Sequence, residues 1–244
     1  MSLRIANLVG VMAVALSGLA AAAQTTTEAR PFYELGLQGM GPASGMPDSL
    51  VIFLHGYGST GSDFTMMSAE LSQDLPDTIF LFPNAPNMLR PGSYSWYDLG
   101  ESGAAPSKTA AAEFIEAQID TVMASYDILP SRIVLAGFSQ GGGTAATLAS
   151  CGDYDVPLVI AMAGVVDYVC APDEAGLPEL VFVTNSNDPR VTLERTNGYI
   201  ETAKSQGYAP ELRIFDGASH WPVPSALEDV RQLIVDQLTG ARNE

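Results

Sequence analysis

The chain has 244 residues, of which 47% are hydrophobic and 16% charged, enough to build one sizeable core. Its formal net charge of -17 at pH 7 predicts repulsion from nucleic acid and from anionic membrane surfaces, so neither is expected as a partner. Such a charge favours high solubility in a salty or extracytoplasmic setting, and it does not penalise a neutral or cationic substrate.

The first residues have the layout of a secretory signal peptide. Arg4 gives a basic start, the apolar run Ile5–Leu19 is short for a membrane span, and Ala21–Ala23 offers small residues for cleavage. We therefore expect residues 1–23 to be removed on export to the periplasm or the exterior, without stable membrane insertion. Residues 24–31 would then form a linker. A retained N-terminal anchor is the alternative.

Strand-sized apolar runs recur along the rest of the chain. The expected strands are Leu50–His55, Ile79–Pro83, Arg132–Gly137, Leu158–Gly164, Glu179–Thr184 and the shorter Glu211–Asp216, with Phe32–Gly39 as a candidate edge strand. Near-continuous apolar runs of this kind are typical of a mainly parallel sheet that helices cover on both faces.

Helical periodicity alternates with these runs. After Ser107 one apolar stripe comprises Ala111, Phe114, Ile115, Ile119, Val122, Met123 and Tyr126. The last helix would begin with Ser225 as N-cap and Glu228 completing a capping box. Its core face would be Leu227, Val230, Leu233, Ile234 and Leu238. Helical patterns also follow Ser62, Ser139 and Arg190. This alternation predicts an α/β class and a single three-layer domain over residues 32–244.

The segment LAGFSQGGGTAA, residues 135–146, places a serine between a predicted strand and a predicted helix. Residues 137–141 are a G-x-S-x-G motif, which in this context is typical of the elbow that carries a nucleophilic serine. The glycines leave room for a strained backbone at Ser139, and the helix that follows directs its N–H groups at a developing anion. A tight turn with Ser139 as a helix N-cap is the structural alternative.

A serine hydroxyl needs a base, and the chain has two histidines. The hydrolase order of nucleophile, acid and histidine selects His220, because His55 precedes the serine. His55 is interpreted as shaping the loop that it begins. The acid should follow the strand near residue 184, where Asp188 would orient the imidazole and stabilise its cation. Asp216, close before the histidine, is the rival acid.

Two backbone N–H groups are candidates for an oxyanion hole. Gln140 directly follows the serine, and Tyr57 lies in the glycine-rich loop His55–Phe64, which lacks the G-K-[ST] ending of a phosphate loop. The connection 165–178 is too short for the lid domain of many lipases, so we expect an open site. The expected substrate-binding residues are Met88, Trp96, Tyr97 and Trp221. Ordinary packing is the alternative for both tryptophans.

The two cysteines carry no catalytic prediction, and the histidines predict no metal site. Export would permit a disulfide between Cys151 and Cys170, and the predicted topology leaves that bridge open. Neither cysteine lies at a strand-to-helix elbow, so neither is expected to be a nucleophile. The two histidines lie far apart in the sequence without a ligand-spaced cluster, so no metal site is expected.

Taken together, these segments resemble the phospholipase/carboxylesterase family of serine hydrolases, which includes the acyl-protein thioesterases. The resemblance covers about Ser49 to Leu238 and lies in LHGYGSTGSDF, FPNAP, SWYD, GFSQGG, DPRV and the late SH. It implies an α/β-hydrolase fold and cofactor-free hydrolysis of carboxylic esters or thioesters by Ser139, His220 and Asp188. One departure is Thr184-Asn185, where the family usually has His-Gly before the acid.

The sequence therefore predicts a carboxylesterase-like enzyme that cleaves short- to medium-chain esters, small-molecule or lipid, through an acyl-enzyme. A lysophospholipase or an esterase of polymer or polysaccharide acyl groups differs from it only in substrate size. A catalytically silent α/β-hydrolase scaffold used for binding is the non-enzymatic alternative. A broken triad would favour that reading, and none is visible. A peptidase would lack the extra domain that usually gates such sites.

Overall fold

The computed structural model describes residues 31–99, 104–171 and 177–240, so the predicted signal peptide lies outside the described residues. The strands are β1 (Gly39–Met40), β2 (Ser49–Leu54), β3 (Thr78–Leu81), β4 (Asn87–Arg90), β5 (Ser93–Ser95), β6 (Ile133–Phe138), β7 (Leu158–Met162), β8 (Glu179–Asn185) and β9 (Glu211–Phe215). The α-helices are α1 (Thr65–Asp74), α2 (Ala104–Tyr126), α3 (Gln140–Cys151), α4 (Leu193–Ser205) and α5 (Pro224–Thr239).

In the described part of the chain, seven strands form one sheet in the order β1-β3-β2-β6-β7-β8-β9. Strand β1 is antiparallel to β3, and the remaining neighbours pair in parallel. Strands β4 and β5 form a separate antiparallel hairpin. The predicted mainly parallel sheet is confirmed, and its six expected main strands end within one or two residues of the observed bounds.

The core divides into two layers because alternate residues of each strand face opposite sides of the sheet. In β2, Leu50 and Ile52 pack with residues of α2 and α3, whereas Val51 and Phe53 pack with residues of α1 and α5. The expected core face of α5 is confirmed, with Leu227 at its half-buried edge. No helix in the described ranges is long and apolar enough to cross a membrane.

The two cysteines are joined. Helix α3 ends at Cys151, which forms a disulfide with Cys170 in the connection from β7 to β8, and their Cα atoms lie 5.2 Å apart. The bridge fastens the far end of the helix that begins beside Ser139. The sequence had left this pairing open.

The expected edge strand at residues 32–39 is wrong. Phe32–Leu35 forms a short 3-10 helix, and only Gly39–Met40 pairs with the sheet. Pro31 precedes the helical turn with a φ of -56°, and Gly36 ends it in the left-handed region with a φ of 69°. The chain therefore coils at this point before it can extend along the sheet.

Two helical expectations also need correction. Phe114 is 38% exposed, because it lies at the margin of the α2 stripe whose centre is buried. The capping box at the last helix does not form. The N-cap is Val223 and Pro224 occupies the first helical turn, where its missing N–H costs nothing. The Glu228 carboxylate instead accepts hydrogen bonds from Arg231.

Candidate active site

Ser139 lies in a strained turn between β6 and α3. Its φ of 53° and ψ of -115° lie outside the regions that an L-residue readily adopts. The surroundings impose this conformation. The Ser139 N–H donates to the Met162 carbonyl at 2.8 Å, and the Ser139 carbonyl accepts from the Val165 N–H at 2.9 Å. Both partners lie at or just beyond the end of β7, so the elbow is fastened to the neighbouring strand.

The two glycines of the G-x-S-x-G motif are sterically required. A Cβ on Gly137 would lie 2.2 Å from the Gly141 carbonyl oxygen. A Cβ on Gly141 would lie 2.1 Å from the carbonyl oxygen of Leu54, the last residue of β2. Both obstacles are backbone atoms, which cannot move without displacing the start of α3 in the first case and the end of β2 in the second. These contacts give a physical reason for the motif that the sequence pattern alone had suggested.

Ser139, His220 and Asp188 form one chain of hydrogen bonds. Nε2 of His220 lies 2.9 Å from the Ser139 hydroxyl oxygen, and Nδ1 lies 2.8 Å from Oδ2 of Asp188. A carboxylate at Nδ1 favours the tautomer with its proton there, which leaves Nε2 to accept from the serine O–H. The three residues follow β6, β9 and β8, whose carboxyl ends meet at one edge of the sheet.

Both oxygens of the buried Asp188 carboxylate are engaged. Oδ1 accepts from the backbone N–H groups of Arg190 at 2.8 Å and Val191 at 3.0 Å, while Oδ2 faces the imidazole. The residue therefore holds the turn toward α4 as well as the ring. The rival acid, Asp216, is exposed and accepts from the Ser186 hydroxyl at 3.3 Å. Within the described residues, no hydrogen bond joins it to the imidazole.

His55 is fully buried and organises the loops around the elbow. Its Nε2 accepts from the Ala85 N–H at 3.0 Å, so Nδ1 carries the proton and donates to the Gly56 carbonyl at 2.7 Å. The Trp96 indole N–H donates to the His55 carbonyl at 2.7 Å. Burial, opposed by the bond to Gly56, lowers the pKa of the imidazole below its ordinary value, so the ring is neutral at pH 7. These contacts match the structural role predicted for it.

The side chain of Gln140 ties the start of α3 to the segment that follows β5. Its Oε1 accepts from the Trp96 N–H at 3.0 Å, and its Nε2 donates to the Tyr97 carbonyl at 2.8 Å. The sequence had assigned a role only to the backbone N–H of Gln140. The joint occurrence of GFSQGG and SWYD in the chain was the available signal for this contact.

A cavity of about 540 Å³ opens at Ser139, and Tyr57 and Gln140 lie in its wall. Gly56 approaches the elbow so closely that an added Cβ would lie 2.9 Å from the Phe138 ring and 3.5 Å from the serine Cβ. The backbone at residues 56–57 therefore lies beside the hydroxyl. Both proposed oxyanion donors belong to the wall of this cavity, which we call the Ser139 cavity.

The four expected substrate contacts divide into two groups. Tyr97 and Trp221 line the Ser139 cavity, and Trp221 packs edge-on against Phe138 at a centroid distance of 4.7 Å. Trp96 is fully enclosed and Met88 is exposed on β4, and neither contributes to the wall. The expectation of a pocket contact is therefore wrong for Trp96, which has no exposed surface, whereas for Met88 it stays a prediction. The indole of Trp96 is used to hold a neighbouring loop, which is the packing alternative.

Most of the chain matches a single protein family. The family model described as Phospholipase/Carboxylesterase matches residues 42–235. The chain belongs to the phospholipase/carboxylesterase family. This membership confirms the resemblance carried by the sequence motifs, and it assigns the protein to the carboxylic ester hydrolases.

Relatives of this family member include proteins with known structures. The acyl-protein thioesterase 1 of Saccharomyces cerevisiae is 27% identical over 216 residues, which cover 78% of this chain and 93% of that protein. The crystal structure of esterase PE8 superposes with a TM-score of 0.71 at 24% identity, covering 83% of this chain and 99% of that one. For SOBER1 of Arabidopsis thaliana the TM-score is 0.66 at 21% identity, over 78% and 99%. At these identities the structures establish the α/β-hydrolase fold.

This phospholipase/carboxylesterase member departs from the usual motif at Asn185, where the resemblance implies a glycine. The side chain is buried at the end of β8. Its amide donates to the carbonyls of Ser219 at 2.8 Å and Trp221 at 2.9 Å, the two neighbours of His220. Its Oδ1 accepts from the Val223 N–H at 3.3 Å. One amide therefore clamps the loop on both sides of the histidine, a role that the sequence did not reveal.

Asn185→Ala is expected to lower kcat about tenfold to a hundredfold with little change in KM, because a histidine displaced by a fraction of an ångström is a poorer base. The free energy of unfolding should fall by about 1–3 kcal/mol, since the hydrogen bonds of the buried amide to two carbonyls are lost. Steady-state kinetics and denaturant unfolding measure both effects. Asn187→Ala is the matched control, because that amide is exposed and donates to Ser186. An unchanged kcat in a destabilised Asn185→Ala variant would make the clamp merely structural.

Proposed function

We propose that the protein hydrolyses carboxylic esters of short to medium acyl chain, with Ser139 as nucleophile, His220 as general base and Asp188 as the acid that orients it. The observation that carries this proposal is the continuous hydrogen-bond chain through these three side chains at the wall of an open cavity. A small polar residue held in a strained conformation beside a histidine is the arrangement that nucleophilic catalysis requires.

The proposed reaction follows from this geometry. Nε2 of His220 takes the serine proton as Oγ attacks the ester carbonyl, and Asp188 stabilises the imidazolium that forms. The N–H groups of Tyr57 and Gln140, with the positive end of α3, stabilise the oxyanion of the tetrahedral intermediate. The imidazolium then protonates the leaving alcohol, which leaves an acyl group on Ser139. A water molecule, activated by the same histidine, releases the acid. Thioesters would react by the same steps.

The walls of the cavity support esters of modest size. Leu99, Val165 and Val191 contribute apolar surface, and Tyr97 adds a buried hydroxyl with no hydrogen-bond partner among the described residues. Burial, reinforced by the charge of Asp167, holds the pKa of Tyr97 well above its ordinary range, so the hydroxyl stays protonated and can donate. An acyl chain of modest length would lie against the apolar wall of the cavity.

We also propose that the protein acts after export. The basic start, the apolar run and the small residues before position 24 support removal of residues 1–23 by a signal peptidase. The disulfide between Cys151 and Cys170 adds support, because such bonds persist mainly in oxidising compartments. Residues 32–244 would then act as a single domain.

The function is tested by measuring kcat/KM for p-nitrophenyl esters from acetate to palmitate, and by mapping the peptide that a fluorophosphonate labels. We expect a maximum at short to medium chains and labelling at Ser139. A maximum at palmitate would instead identify a lipid esterase. Absence of both turnover and labelling would overturn the proposal and favour a binding scaffold.

A further inference from the structure

The wall of the Ser139 cavity is cationic, although the protein as a whole is strongly acidic. Arg190 and Arg195 both line the cavity, and no aspartate or glutamate does so in the described part of the chain. The chain carries a formal net charge of -17. A cleft lined by charge of one sign concentrates ligands of the opposite sign. The charged side chains at the cavity are therefore positive, whereas the net charge of the chain is negative.

Among the described residues, no carboxylate forms an ion pair with either of these two guanidinium groups. Most described lysines and arginines form ion pairs. The paired residues are Lys108, Arg132, Lys204, Arg213 and Arg231. Among the described residues, Arg90, Arg190 and Arg195 have no such pair, and two of these three line the cavity. Although the chain has 28 acidic residues, two arginines without an ion pair to a described carboxylate therefore lie at the Ser139 cavity.

Arg195 is positioned by neutral groups. Its guanidinium donates to the Arg190 carbonyl at 2.8 Å and to the Tyr199 hydroxyl at 2.8 Å, and it lies 5.8 Å from the centre of the Tyr199 ring. These contacts orient the group without cancelling its charge. The Arg190 N–H in turn donates to Asp188, so both arginines are attached to the segment that also holds His220.

We propose that Arg190 and Arg195 form an anion subsite that binds a carboxylate or phosphate group carried by the ester substrate. The proposal rests on the proposed function, since it names the substrate class of the same cavity. A guanidinium group can donate two parallel hydrogen bonds to two oxygens of either anion, and it retains its charge at all relevant pH values. Because the remaining wall includes Leu99, Val165 and Val191, the substrate would join an apolar segment to the anion.

Paired substrates test the subsite and locate the anion. The acyl-side pair is p-nitrophenyl hydrogen adipate and p-nitrophenyl hexanoate. The alcohol-side pairs are p-acetoxybenzoate with its methyl ester, and p-acetoxyphenyl phosphate with p-methoxyphenyl acetate. For each pair, the ratio of kcat/KM for the anionic ester to that for the neutral ester is measured in the wild type, Arg190→Gln, Arg195→Gln and the double variant. Comparing ratios between variants cancels the intrinsic reactivity of each ester.

In at least one pair, the ratio is expected to fall about tenfold in the double variant and less in each single variant. High salt should reduce the ratio in the wild type but change it little in the double variant. Arg90→Gln is the matched control. It removes the same charge from an arginine that also lacks an ion pair but lies outside the cavity, so its ratios should equal those of the wild type.

Two outcomes would overturn the subsite, and a third concerns the proposed function. The subsite is wrong if no pair changes its ratio in the double variant, or if Arg90→Gln changes it equally. Arg190→Gln keeps the test valid if Arg195→Gln fails to fold, because the Arg190 side chain makes no hydrogen bond within the described residues. Failure of the wild type to hydrolyse any neutral or anionic ester would instead refute the proposed function.

Discussion

Ser139→Ala is expected to lower kcat for ester hydrolysis by about 10⁵-fold or more, because the proposed nucleophile is lost and no other group can form the acyl-enzyme. Substrate affinity should change little, since the cavity wall remains. The substitution removes one hydroxyl whose contact is with His220 at 2.9 Å, so the fold should be preserved. The measurement is the turnover of the preferred p-nitrophenyl ester, together with circular dichroism of the variant.

Ser205→Ala is the matched control for this prediction. That hydroxyl is exposed at the end of α4. Among the described residues, it donates only to a carbonyl of the same helix. Its variant should retain wild-type turnover and fluorophosphonate labelling, whereas Ser139→Ala should lose both. Retention of more than about 1% of the activity by folded Ser139→Ala would contradict the assignment, because loss of a nucleophile costs far more than a hundredfold.

The sheet was predictable because its central strands are buried on both faces. An apolar run such as residues 158–162, every residue of which is buried, has no other stable location in a chain of this length. The elbow was predictable for a steric reason. Strain at Ser139 can be tolerated only where Gly137 and Gly141 leave room for the crossing backbone. Both glycines lie within two residues of the serine, so a short sequence motif is enough to reveal this requirement.

Features that depend on distant contacts were not predictable. Asn185 clamps the histidine loop through carbonyls more than 30 residues away in the sequence, and no local pattern around Asn185 predicts that contact. Trp96 and Met88 look alike as loop residues, yet only the packed fold shows that Trp96 is buried and Met88 exposed.

The prediction of a capping box failed for a local reason, since Pro224 already starts α5 and displaces the N-cap to Val223.

The charge of the site illustrates the same limit. Arg190 is visible in the DPRV segment, but the sequence cannot say which of the other cations are paired. Lys108, for example, forms an ion pair with Asp167 and lies over the Tyr97 ring at 4.9 Å. Once such pairs are assigned, Arg190 is left at the cavity without an ion pair to any described carboxylate. Composition therefore predicted the sign of the whole surface and missed the sign of the site.

Asp188→Asn should lower kcat about 10⁴-fold, whereas Asp216→Asn should leave it within about twofold of the wild type. The reason lies in the two ends of the carboxylate. Oδ1 accepts from the N–H groups of Arg190 and Val191, and the carbonyl oxygen of the substituted amide would keep those bonds. Its NH₂ group must then face His220, where the wild type has an acceptor.

An NH₂ group at that position would donate to Nδ1 of His220 and so place the ring proton on Nε2. The ring would then donate to the Ser139 oxygen rather than accept its proton, and the base would be lost without displacement of any side chain. The carboxylate of Asp216, the rival acid, has a hydrogen bond only from Ser186 among the described residues, so its amide variant should preserve the tautomer of His220. Rates of both variants, measured with the preferred p-nitrophenyl ester, decide between the two acids. A larger loss in Asp216→Asn than in Asp188→Asn would show that the acid has been assigned to the wrong strand end.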